Sequence, residues 1–97
     1  MLAEFGVLLI SAGVDASRHA LSQPVRVTAR GWFDGESDRD LIATVTDEVN
    51  DALADALADG NYDESSLNKV VQRAAGRLLG QKFRRQPVLL PAVIVQE

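Results

Sequence analysis

One histidine, His19, and no cysteine set the first limit on what chemistry this 97-residue chain can do. A catalytic zinc needs several His, Cys or carboxylate ligands at short spacing, as in HxH or HExxH. Asp15 is the nearest carboxylate upstream of His19 and no second histidine completes a pair. The pattern therefore supports no metal site, and His19 reads as a solvated loop residue. Ser22, Ser37, Ser65 and Ser66 stand at expected turns and helix starts, with no GxSxG elbow and no neighbouring base, so nucleophilic catalysis has no candidate. Gly31-Trp32-Phe33-Asp34-Gly35 and Gly76-Arg77-Leu78-Leu79-Gly80 share a GxxxG spacing, yet neither continues into the GKS or GKT of a phosphate loop. Gly76 and Gly80 suit either close helix packing or fraying of a last turn.

Charge is sorted along the chain. Nine acidic residues and a single base, Arg39, lie between Asp34 and Asp59, whereas Lys69, Arg73, Arg77, Lys82, Arg84 and Arg85 follow without an intervening acid. The carboxylates are spread along a helix face and lack the loop spacing of a calcium site. Arg84 and Arg85, beside Lys82, complement a helix C-terminus, pair with the acidic helix or contact phosphate. Arg73, Arg77 and Lys82 are the further candidate phosphate contacts. The net charge of −4 argues against a free-standing nucleic-acid binder held by a strong positive field. Trp32, the sole tryptophan, either packs beneath the helices or anchors an interface.

An apolar share of 46% and a charged share of 25% match one ordinary globular domain over residues 1–97. Without cysteine the fold must hold by packing alone, which suits a reducing compartment. The apolar runs Val7–Ile10 and Val88–Val95 fall far short of the ~20 residues of a membrane helix. Met1-Leu2-Ala3-Glu4 has no basic stretch preceding an apolar one, so it does not resemble a secretory signal. The expectation is a soluble, cytoplasmic domain.

Five elements must position any site. Phe5–Ala12, aliphatic on both alternating faces, reads as a strand; polar Val14–Pro24 reads as a connecting loop. Val25–Arg30 alternates, with Val25, Val27 and Ala29 on one side and Arg26, Thr28 and Arg30 on the other. Asp38–Ala58 is a helix whose Leu41, Ile42, Val45, Val49, Ala52, Leu53, Ala56 and Leu57 form one stripe, with Ser37 as its expected N-cap and Gly60 as its stop. A second helix, Glu64–Gln81, carries Leu67, Val70, Val71, Ala74, Leu78 and Leu79 on its core side and Lys69, Arg73 and Arg77 as a solvent ridge. Pro87–Val95 is a final strand, and Pro91 within it requires an edge position or a bulge.

The pattern predicts an α+β fold: a small three-stranded sheet with two helices packed on one face, in the order β-β-α-α-β. One sheet face is then left without cover. Leu8, Ile10 and alternates among Leu89, Val93 and Val95 are its expected apolar residues, beside Arg26, Thr28 and Arg30. Burying a few hundred Å2 of such surface is worth several kcal/mol at ~25 cal/mol per Å2, which favours a partner.

Two stretches resemble the C-terminal domain of bacterial ribonuclease J, a family of metallo-β-lactamase/β-CASP ribonucleases. Leu21-Ser22-Gln23-Pro24 followed by Ala29-Arg30-Gly31-Trp32 is similar to the family's proline, strand and "SRGF" segment. Arg84-Arg85-Gln86-Pro87-Val88-Leu89-Leu90-Pro91 is similar to its "RRPxxLP" ending. Ala29 stands where serine is common, Trp32 where phenylalanine is common, and Gln86 is an insertion. The resemblance implies a fragment of a larger zinc-dependent ribonuclease with 5′-to-3′ exonuclease and endonuclease activity housed elsewhere. This fragment would have no catalytic residue, metal or cofactor of its own and would serve assembly, including homodimerisation. Arg30, Gly31, Trp32, Arg84, Arg85, Pro87 and Pro91 are the motif or interface residues so implied. A small RNA-binding module, using the basic second helix with Arg84 and Arg85, is the alternative reading.

Overall fold

A computed structural model of the chain describes residues 6–30, 35–83 and 87–96. Strands β1 (Val7–Asp15) and β2 (Ala20–Arg30) form an antiparallel hairpin, helices α1 (Gly35–Ala58) and α2 (Glu64–Leu78) follow, and β3 (Val88–Gln96) closes the sheet. The order is β2-β1-β3, with β3 parallel to β1. This is the expected α+β arrangement. β1 lies at its centre, which explains why both its faces are apolar, and Pro91 sits on an edge strand.

The supposed Val14–Pro24 loop is largely strand. The chain turns within four residues after Asp15, whose Oδ1 accepts hydrogen bonds from Ser17 N (3.0 Å), Ser17 Oγ (2.6 Å) and Arg18 N (3.3 Å). Of the residues that suggested a loop, Asp15 and Ser17 do form the turn, whereas Ser22 and Pro24 are exposed on an edge strand whose pairing with β1 is irregular between Ser11 and Val14. Gly13 is required there: a Cβ would lie 2.8 Å from Ser22 Oγ and 2.9 Å from Gln23 Cβ.

α1 begins earlier than expected, so Ser37 lies within its first turn and does not cap it. Gly60, at φ +85°, ends it as expected, with Gly60 N–H donating to Leu57 O and Asn61 N–H to Ala56 O. α2 is capped by Asp63, whose side chain accepts from Ser66 N, and it stops short of Gln81 in a π-helical turn, Leu79–Phe83. Gly80 has nothing within 4 Å of a built Cβ and Gly76 only Leu89 Cδ1 at 3.6 Å, so loosening of the last turn, and not close packing, is the reading that fits them.

The core lies between the two layers. Leu41, Val45, Val49 and Leu53 of α1 and Leu67, Val71 and Ala75 of α2 are buried against Leu8, Ile10 and Val14 of β1. α1 packs on β2 and α2 on β3.

Candidate interaction surface

Side chains alternate across a strand, so the cross-strand register fixes which residues share each face. Leu8 pairs with Ala29 and Leu89, and Ile10 with Val27 and Pro91; these positions point at the helices. Leu8 and Ile10 are fully buried and Val93 nearly so, while Leu89 and Val95 are half-buried against the core. The aliphatic residues of β1 and β3 expected on the uncovered face are therefore covered ones, whereas Arg26, Thr28 and Arg30 do lie on the open face, as expected. With both faces of β1 aliphatic, sequence alternation offered no means of choosing between them.

The uncovered face exists with the opposite parity. Val7, Leu9 and Ser11 of β1 lie between Arg30, Thr28 and Arg26 of β2 and Val88, Leu90 and Ala92 of β3. Leu9 is 41% exposed, Val88 49%, Leu90 48% and Ile94 60%. Half of the face is thus apolar, and the β2 rim is lined by the exposed Arg26 and Arg30. At the irregular end, Gly13, Gln23, Arg26 and Ile94 help to line a concavity of about 420 Å3.

The two edges of the sheet differ. Val88 N–H donates to Gly6 O, and Ala16 N–H donates to Gln96 O, so the even-numbered residues of β3 direct their backbone groups at β1. Leu89, Pro91, Val93 and Val95 point outward. Pro91 has no N–H to offer; Val93 N–H donates to Asn68 Oδ1 at 2.7 Å while Asn68 Nδ2 reaches Val93 O at 3.4 Å; Val95 N–H donates to Glu64 Oε1 at 3.0 Å. Side chains from α2 thus close the β3 edge. A mid-helix asparagine beside Leu67 was the available sequence signal, because Asn is a poor helix former that finds backbone partners.

The other candidate residues do not converge. Arg30 ends β2 on the open face and Pro87 is buried just before β3. Arg73 and Arg77, with Lys69, are exposed on α2, in the layer across the sheet from that face. Lys82 lies in the π-helical turn, though its side chain, like Gly31, Trp32, Arg84 and Arg85, falls outside the described residues. Among the described residues the only ion pair joins Arg18 Nε to Asp15 Oδ2 at 3.8 Å, so the acidic α1 and basic α2 ridges do not pair with each other. The Ser17 hydroxyl foremost, with the Arg18 and Ser17 amides and the Arg18 charge, holds the Asp15 carboxyl below its ordinary value, against a desolvation that opposes them and is second in size to the hydroxyl.

His19, at φ +56° in the hairpin turn, is more than a solvated side chain: its Nδ1 bonds Tyr62 Oη, their rings lie 5.2 Å apart, and Tyr62 Oη lies 3.2 Å from Leu57 O. The phenol has one proton, so which of the two bonds it donates is set by the His19 tautomer. No group of three His, Cys, Asp or Glu side chains gathers among the described residues, so a zinc ion finds no ligand set there. Among the described residues no helix is long and apolar enough to cross a membrane.

Comparison with known families adds one finding. The family model of the Ribonuclease J C-terminal domain matches residues 1–96. No curated protein matches the chain.

Proposed function

The chain belongs to the ribonuclease J C-terminal domain family, and from that premise we propose that it is a non-catalytic assembly domain whose open sheet face is its contact surface. The observation that carries this reading is the exposure of Leu9, Val88, Leu90 and Ile94 on one side of the sheet. These side chains present on the order of 300 Å2 of apolar surface, worth about 7 kcal/mol when fully removed from water, before the cost of association. The partners are the remaining domains of a ribonuclease J and a second subunit. RNA hydrolysis, both exonucleolytic and endonucleolytic, belongs to the metallo-β-lactamase and β-CASP domains with their zinc, and no step of it is routed through this chain. The setting is the cytoplasm.

Sedimentation of the chain tests the self-assembly. Dimers are expected at micromolar concentration, and Leu90→Asp or Ile94→Asp should return the chain to monomer with unchanged circular dichroism. A wild-type chain that stays monomeric at high concentration would remove self-association from the reading.

A second reading rests on the exposed ridge of Lys69, Arg73 and Arg77, which has no carboxylate partner among the described residues. Residues four apart on a helix stand ~6 Å apart, a spacing that lets the ridge follow a phosphate backbone as an auxiliary RNA contact. Salt-dependent binding of a single-stranded RNA, lost on Arg73→Glu with Arg77→Glu, is its expected signature.

A further inference from the structure

The two layers of this fold have different widths. Two helices side by side span about 20 Å, whereas three strands span about 14 Å. Because α1 packs on β2 and α2 on β3, the excess can appear at either edge of the sheet. At β3 the edge is closed by Asn68, Glu64 and Pro91. At β2 it stays open among the described residues: at the hairpin end a groove of about 730 Å3 runs between Ala20–Leu21 and α1, lined also by Asn50, Asp51, Leu57 and Tyr62, and Val27 and Ala29 lie farther along the same edge, outside it.

The floor of that side offers backbone hydrogen bonds. The even-numbered residues of β1 face β3, so Val7, Leu9 and Ser11 face β2, in register with Arg30, Thr28 and Arg26. Val27 and Ala29 therefore point their N–H and C=O groups away from the sheet, and among the described residues nothing bonds to them. Their side chains face α1 and are only half-buried, as a strand missing its neighbour would leave them.

We propose that this edge takes one extended strand of a partner polypeptide, hydrogen-bonded to Val27 and Ala29 beneath α1 and carrying carboxylates on the side of Arg26 and Arg30. A strand beside β2 places its alternate residues directly across from those arginines, where opposite charges attract and like charges repel. A second copy of β2 does not fit. Strands pair at ~4.8 Å but helices pack at 8–10 Å, so β2-to-β2 pairing would force the two α1 helices together, each with Asp47 and Asp51 exposed. A strand without its own helix above has no such conflict. The proposal concerns the edge alone and stands whether or not the open face binds anything.

Amide hydrogen exchange, followed by NMR, tests it with a short capped peptide of alternating valine and glutamate as the probe. In the free chain Val27 and Ala29 should exchange quickly while Thr28 and Arg30 are protected. Saturating peptide should slow both edge amides by about tenfold or more. A peptide with lysine in place of glutamate should bind about tenfold more weakly. Ala29→Pro should abolish the effect and leave protection in α1 and α2 unchanged, and the wild-type results decide the matter if that variant does not fold. Edge amides already protected in dilute free chain, amides left unprotected by millimolar peptide, or equal binding of the lysine peptide would each overturn the proposal. Protection that grows with chain concentration alone would replace it with a second copy.

Discussion

Replacing Asn68 by alanine should reopen the β3 edge, and its cost can be worked from the geometry. The side-chain amide accepts from Val93 N–H at 2.7 Å, donates weakly to Val93 O at 3.4 Å and donates to Glu64 O at 3.0 Å. Losing the short bond strands a part-buried backbone donor, which costs about 1–3 kcal/mol. Alanine is the better helix former by about 0.6 kcal/mol, which offsets part of the loss. The net destabilisation should be about 1–2 kcal/mol. With a urea dependence of about 1 kcal/mol per M for a chain of this size, the unfolding midpoint should fall by about 1–2 M. Asn68→Asp keeps the acceptor for Val93 N–H but loses both donated bonds, so it should fall between alanine and wild type. Gln72→Ala, at an exposed position one turn along the same helix, is the control and should not lower the midpoint. An unblocked edge also invites pairing with other chains, so light scattering should rise in the alanine variant alone. If Asn68→Ala and Gln72→Ala give the same midpoint, or if Val93 N–H exchanges no faster in the variant, the amide is not what closes this edge.

Gly13→Ala should destabilise by about 1–3 kcal/mol, lowering the thermal midpoint by several degrees, because the new methyl would meet Ser22 and the root of the Gln23 side chain; an unchanged midpoint would mean the strands separate freely there. Asp63→Ala removes the α2 cap and should cost about 1 kcal/mol in urea unfolding, whereas Asp63→Asn should cost little. Asp15 supplies a pH test. Its folded carboxyl titrates below the ordinary 3.8, so its contribution is present above that value and lost as pH falls through the lowered folded one. Asp15→Asn should flatten that part of the acid limb in a thermal midpoint series, and parallel curves for the two proteins would contradict the turn geometry.

Much of the helical layer could be read from residue spacing, because a helix that buries one face writes its period into the sequence. Leu41, Val45, Val49, Leu53 and Leu57 are buried, as are Leu67, Val71 and Leu79 on and just beyond α2, whereas Ile42, Ala52, Ala56, Val70, Ala74 and Leu78 flank the stripes half-buried and the buried Ala75 was not among the expected core residues. The sheet was less legible. A central strand flanked on both sides loses the polar alternation that would mark its core face, so Leu8 and Leu9 are indistinguishable until the register is known. Ser22 and Pro24 look like loop residues because β2 is an exposed edge with irregular pairing, where such residues cost little. The Asn68 contact spans two elements and has no periodic trace. Arg73 and Arg77 lie across the sheet from Arg30, which no linear reading of basic residues could separate.

The parallel ladder between β1 and β3 joins segments from opposite ends of the chain, with Val7 beside Val88 and Asp15 beside Gln96. Contacts so remote in sequence are closed late, after the loop entropy of everything between has been spent. During synthesis the hairpin and both helices leave the ribosome before β3 does, so the β3-facing backbone of β1 waits unpaired for its last neighbour. That interval, and not the finished fold, is when this domain is most exposed to misassociation and most in need of a chaperone's shelter.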